Sequence, residues 1–249
     1  MKTFLKHELE DYKILLRNVP SIVVTLFVVS VVCMNLMANK ELVSYEYFAL
    51  DCGFAWSWVS FLCMDVICKR FGPKASVKIS ALAVAINLLT CLMFQVLCLT
   101  PGHWGEFYTY GSEDVNTALN TTFGGSWYIV ICSSIAMIIS STVNSFLNYT
   151  IGKALNKKNT FGEFALRSYI STGLAQYVDN FVFATLVSKV LFGWTWAQVL
   201  ICSLTGAVME LLAEVVFGPV GYRMSKNWEK DNVGSAYIAY ASAKEEAEA

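Results

Sequence analysis

The run SVKISALAVAINLLTCLMFQVLCL, residues 76–99, carries one charge, Lys78, near its beginning and none across the 21 residues that follow. A hydrocarbon core about 30 Å thick takes roughly 20 apolar residues of helix at about 1.5 Å each, so this run reads as one crossing of a bilayer. Five further stretches have the same character: 20–38, 48–67, 126–151, 164–192 and 196–222. The expected fold is an all-α membrane protein of six transmembrane helices. It comprises an amphipathic N-terminal segment (1–19), a transmembrane domain (20–222) and a C-terminal tail (223–249). The composition agrees: 56% of the chain is AVILMFWYC and 15% is charged, with a mean hydropathy of +0.51. A soluble domain needs about a quarter of its residues charged to face water.

The charges fix an orientation. With the N-terminus inside, the cytoplasmic side holds 15 of the 18 Lys and Arg residues, including Lys69, Arg70, Lys74, Lys78, Lys153, Lys157 and Lys158. The loop at 101–125 has none and carries Glu106, Glu113 and Asp114. That asymmetry predicts both ends in the cytoplasm. Trp104, Trp127, Trp194 and Trp196 then fall near the outer interface, where an indole keeps its N–H wet. Leu5, Leu9, Tyr12, Leu16 and Val19 recur at helical spacing among Lys2, Lys6, Lys13 and Arg17, as in a helix lying on a membrane surface or a short cap helix. Residues 241–249 read as a disordered or weakly helical tail. Net charge of −1 gives no reason to expect nucleic acid as a partner. The eight cysteines form no C-x-x-C pair, and His7 and His103 lie far apart, so no metal, cofactor or disulfide framework is expected.

Polar residues inside the apolar stretches carry the chemistry. Asp179 lies about 22 Å along its helix from Phe164, near mid-bilayer. An ionised Asp facing lipid there costs about 3 kcal/mol on insertion scales, so it must face protein or water. Ser168, Thr172, Gln176, Asp179 and Phe183 form one stripe of that helix, flanked by Arg167 and Ser171. Glu210 and Glu214 stand one turn apart on the sixth stretch. Asn35 lies deep in the first, and Asn144 and Asn148 share a face of the fourth. Asp65, near Lys69 and Arg70, fits a salt bridge or anchoring role as well as a transport role. Asp51 and Gly53 interrupt the second stretch, so residues 35–53 are expected to be partly irregular. Non-helical backbone at membrane depth persists only where protein or a water-filled cavity surrounds it, which marks this segment as a place to look for a site. A transporter built as a 3+3 inverted repeat would place its substrate between halves. Asp65 and Asp179, one in the second helix of each half, are the only visible parallel.

The segment Arg167-Ser168-Tyr169-Ile170-Ser171-Thr172, continuing to Gln176-Tyr177-Val178-Asp179-Asn180-Phe181-Val182-Phe183, resembles the R-x-x-x-S-T-x-x-x-Q-x-x-D-[ST]-x-x-F helix of the queuosine precursor transporters, the vitamin-uptake-transporter-like family. Weaker matches are Asn35-x-x-Ala38-x-Lys40, Asp65 with Phe71-Gly72, and Glu214 with Pro219 and Tyr222. Lys69 stands where the family pattern has an acidic residue, and Asn180 where it has Ser or Thr. The resemblance implies uptake of a 7-deazapurine such as preQ0, preQ1 or queuine across the bacterial inner membrane, without an enzymatic step. On that reading Asp179 or Glu210 accepts the donor edge of the base, Asn35 and Gln176 complete its hydrogen bonds, and Phe183 or Tyr177 stacks on it. Tyr177, Asn180, Glu214, Arg167 and Asp65 complete the candidate set. A membrane-embedded binding subunit that recruits a separate energising module stays open as the alternative, and the pattern admits a homo-oligomer.

Overall fold

The computed structural model describes residues 2–106, 110–155 and 160–248, with side chains described except at 2–7, 245, 247 and 248. Lys157 and Lys158 of the charge count lie outside the described residues, as do the side chains of Lys2, Leu5, Lys6 and His7. The chain opens with α1 (Lys2–Asn18), turns by 110° at Pro20, and enters α2 (Ser21–Met37). The face of α1 that packs inward runs through Asp11 and Leu15, with Val19 just beyond its end. Leu9 and Leu16 of the predicted apolar stripe point away from the protein. They are therefore placed to meet something other than this chain's own core.

The all-α expectation needs one correction. Between α2 and the next helix stands an antiparallel hairpin, β1 (Glu41–Tyr45) and β2 (Phe48–Asp51), with a register irregularity between Glu41 and Val43. Glu46 and Tyr47 make its two-residue turn. The second long stretch thus begins as a strand, and its helix, α3, spans Phe54–Phe71 rather than starting at 48. The hairpin tip is exposed and touches protein on one side: the Glu46 carbonyl faces Cys202 Sγ at 4.0 Å, and the Tyr47 carbonyl accepts from Thr205 Oγ1 at 3.5 Å. Gly53 closes the hairpin against α2. A Cβ there would lie 2.5 Å from the Met34 carbonyl oxygen, so space and not backbone angle demands the glycine.

The remaining helices are α4 (Pro73–Cys98), α5 (Glu113–Gly124), α6 (Trp127–Ala154), α7 (Phe161–Phe183), the short α8 (Lys189–Phe192), α9 (Trp196–Lys230) and α10 (Ser235–Glu248). The four long ones follow the predicted stretches, whereas Glu113–Gly124 lies in the expected outer loop and Ser235–Glu248 in the expected tail. Gly72, at φ 86°, ends α3, and Pro73 opens α4, where its missing N–H costs nothing. A capping box between Thr195 and Gln198 starts α9. Among the described residues, three helical units are long and apolar enough to cross a membrane: Pro73–Cys98, Glu113–Ala154 and Trp196–Lys230. Glu8–Asn18 and Ser21–Met37 qualify together as a bent fourth. The helices α3 and α7 fall short for a physical reason. They carry Asp65, Lys69 and Arg70, and Glu163, Arg167 and Asp179, and much of that polarity is turned inward. Ser60 through Cys68 of α3 are buried on every side.

The C-terminal segment is not a loose tail. It forms α10, whose Tyr237 packs against Phe71 at 6.1 Å between ring centroids, beside Trp228 at 5.8 Å. Lys244 Nζ reaches Asp11 Oδ2 of α1 at 2.7 Å, and Arg70 Nε donates to the Val233 carbonyl at 2.8 Å. Both termini therefore lie at the same end of the bundle.

Candidate functional site

A cavity of about 560 Å³ lies among α2, the hairpin, α6, α7 and α9. Its polar lining comes from Asn35 and Asn39 at the end of α2, Glu41 and Asp51 of the hairpin, Asn180 of α7, and Ser203 and Glu210 of α9. Phe183, Phe192 and Trp194 give it aromatic walls. No Lys, Arg or His is among the lining residues. The irregular segment expected at 35–53 thus forms part of the wall. Glu210 faces Ser57, Asn180, Asp51 and Asp179. Gly206 makes room beside it, since a Cβ would lie 3.1 Å from Asn180 Nδ2.

Immediately beyond Phe183, α7 loosens into a π-helical turn, Ala184–Ser188, and Ala184, Val187 and Ser188 of that turn line the cavity. Tyr128 of α6 donates to the Leu186 carbonyl at 2.8 Å and satisfies backbone in the altered turn. Such turns recur at functional sites because they re-aim side chains and leave carbonyls available. No residue pattern in the sequence announces this one.

The other candidates lie deeper. Arg167 to Asn180 covers about 20 Å of helix, and the polar groups of α7 step along that length. Asp179 does not line the cavity; its Oδ1 accepts from Ser140 Oγ of α6 at 2.7 Å. Gln176 is fully buried and both ends of its amide lack a hydrogen-bond partner among the described residues. Tyr177 pairs with Phe181 at 6.2 Å and does not line the cavity. Four residues on, toward the end of the bundle that holds the termini, Asp65 of α3 and Glu214 of α9 meet across α7. Asp65 accepts from Asn144 Nδ2 at 2.8 Å, from Thr172 Oγ1 at 3.1 Å and from Ser168 Oγ. Glu214 Oε1 faces the same two hydroxyls at 2.9 and 3.2 Å. Asp65 is thus tied to three neighbouring helices, and the salt bridge with Lys69 or Arg70 does not form. Lys69 Nζ lies over the rings of Phe164 and Tyr222, at 5.0 and 5.4 Å. Arg167 Nε donates to Asn148 Oδ1 at 3.0 Å and closes the column.

Of the ten candidates, Asn35, Asn180, Phe183 and Glu210 reach the cavity. Asp179 and Gln176 stand beneath it, and Asp65, Glu214 and Arg167 belong to the buried network further down. Sequence reasoning missed Glu41, Ser140 and Ser57. Each is a common residue in a stretch with no distinguishing neighbour, and only the packing of hairpin and helices brings it to the site.

The site is thus a large cavity rimmed by polar side chains at one end of the bundle, above a buried polar column at the other. A family model described as putative vitamin uptake transporter matches residues 51–224, from the last residue of β2 through α3 to α8 and most of α9. The chain belongs to that family. Neither the curated proteins nor the solved structures yield a match. As a member of the vitamin uptake transporter family with apolar membrane-scale helices, the protein is a multi-pass membrane transporter.

Proposed function

We propose that this transporter takes up a 7-deazaguanine precursor of queuosine through the cavity at Glu210, as a six-span carrier of the bacterial inner membrane with both termini inside. The observation that carries the reading is the combination at the cavity floor and wall: a carboxyl on α9, the amides of Asn180 and Asn35, and the ring of Phe183. A 7-deazaguanine presents adjacent N–H and NH₂ donors, a carbonyl and a flat face. Glu210 accepts from the donor edge, Asn180 or Asn35 donates to the carbonyl, and Phe183 stacks. Asp179 acts from beneath, holding α7 to α6 through Ser140. Support for the orientation comes from α1 and α10 meeting at Asp11 and Lys244, which leaves both ends on the side rich in Lys and Arg. In a carrier of this plan the network at Asp65 and Glu214 is the closed half of the path.

The test is a thermal-shift titration of the purified protein with preQ0, preQ1, queuine and a panel of vitamins. A ligand bound only by the folded state stabilises in proportion to the logarithm of its concentration over Kd. A dose-dependent shift with a deazaguanine and none with vitamins is expected. A vitamin that shifts the protein while all the deazaguanines fail would overturn the substrate assignment.

A further inference from the structure

Three carboxyls from three separate elements face one cavity: Glu41 on β1, Asp51 on β2 and Glu210 on α9. Glu41 and Asp51 are direct cross-strand partners, and like charges in that position weaken a hairpin. A positive group held between them would relieve the repulsion, yet the described lining residues supply none. The nearby Lys189 is engaged elsewhere, with its ammonium 3.5 Å from the Trp194 carbonyl and 4.7 Å from the centre of the Trp196 ring. Lys40 follows Asn39 into the hairpin and is exposed. Asp51 has a structural duty as well, since its Oδ1 accepts from the Gly53 N–H at 2.7 Å. Glu41 and Glu210 have no such anchoring to the backbone among the described hydrogen bonds.

Independent of the carboxyls, the cavity holds polar groups with nothing to bind. Ser203 is 1% exposed, lines the cavity, and its hydroxyl has no hydrogen-bond partner among the described residues. Asn180 Nδ2 is in the same condition. A buried polar atom left unpaired costs stability unless something else completes it. These atoms place a ligand's polar groups against α7 and α9. Within one cavity, charges of one sign act together on an incoming ion.

We infer that the cavity selects a substrate bearing a protonated amine on its ring system, with the flat base toward Glu210 and Phe183 and the ammonium toward the Glu41–Asp51 pair. This rests on the deazaguanine reading for the ring, while the charge preference stands on the lining alone. Among 7-deazaguanines, the 7-aminomethyl form fits, the neutral 7-cyano form fits less well, and a 7-carboxylate is repelled.

Binding to the purified protein in phosphatidylcholine discs, followed by isothermal titration calorimetry, tests this with two matched sets. The first is the aminomethyl, cyano and carboxylate deazaguanines. The second is tryptamine and its neutral isostere indole-3-ethanol, which separate the charge preference from the identity of the base. The aminomethyl form is expected to bind about tenfold tighter than the cyano form, and tryptamine tighter than the alcohol. In Glu41→Gln combined with Asp51→Asn, checked for an intact melting transition, the ratio falls toward one. Failure of every deazaguanine with tryptamine still preferred would sink the substrate reading and keep the charge preference. Equal binding within both sets, no binding of either cationic member, or a preference that survives the double variant would overturn the inference.

Discussion

Gly53 shows how much one residue decides. Its φ of −62° suits any amino acid, so the case for glycine rests on the Met34 carbonyl that a Cβ would meet at 2.5 Å. Main chain cannot swing aside as a side chain can. Gly53→Ala is therefore expected to cost about 1–3 kcal/mol and to loosen the hairpin from α2, read as a lower melting temperature in detergent. The sequence marked Gly53 and Asp51 only as interruptions of an apolar run. Glu210, Asn180, Phe183 and Asn35 were legible as site residues because polarity or an aromatic edge in a membrane helix must be turned toward protein or water. Asp179 was legible for the same reason, and in the structure its partner is Ser140 and not the cavity. The cost of burial says that a carboxyl needs a partner, and it does not say whether the partner is a ligand or Ser140. The partners of Asp65 could not be read for want of a third dimension: Lys69 and Arg70 are near in sequence, whereas Asn144, Ser168 and Thr172 are near in space.

Among the elements, helices at the predicted stretches could be read from hydropathy, and the hairpin could not. Its turn, Glu46-Tyr47, lacks the Asn-Gly or Asp-Gly signal of a tight hairpin, and Phe48 to Leu50 merge with the apolar run of α3. The π-helical turn at Ala184–Ser188 had no signal, because it arises from how α7 meets Tyr128 and the cavity. The Ala/Glu/Lys composition of residues 241–249 gave no sign that Lys244 meets Asp11. The contact between α10 and α1 carries its own expectation. Burial pushes the Asp11 carboxyl up, but hydrogen bonds from Lys244, Tyr240 and Lys78 outweigh it and hold the carboxyl well below the usual range. A group whose pKa is depressed on folding contributes stability that is fully present above its unfolded value, about 3.9, and is lost as pH falls through the folded value. The difference in melting temperature between the wild type and Asp11→Asn should accordingly stay level from neutral pH to about pH 5 and shrink below about pH 4. A difference that grows on acidification would contradict the contact.

At the scale of the whole molecule, the cavity and the buried column divide the bundle into an open half and a closed half. Non-helical backbone and the π-helical turn lie at the open half, while unpaired polar atoms run through both, from Ser203 Oγ at the cavity to Glu214 Oε2 in the column. At the closed half, Asp65, Glu214, Ser168, Thr172 and Asn144 join α3, α6, α7 and α9 through hydrogen bonds that a carrier of this kind must exchange when it opens the other way. Most of that division was beyond the sequence, because it depends on which faces of four helices meet. What could be read was the membrane class, the polar stripe of α7 and the family resemblance carried by that stripe. The central claim is that Glu210 in the cavity, and not Asp179 beneath it, receives the transported base. Its most direct test is initial-rate uptake of a radiolabelled 7-deazaguanine by the purified protein alone in liposomes. We expect Glu210→Gln to lower uptake by at least about tenfold and Asp179→Asn, whose carbonyl can still accept from Ser140, by several-fold less. Wild-type uptake in Glu210→Gln, or a loss confined to Asp179→Asn, would contradict the account.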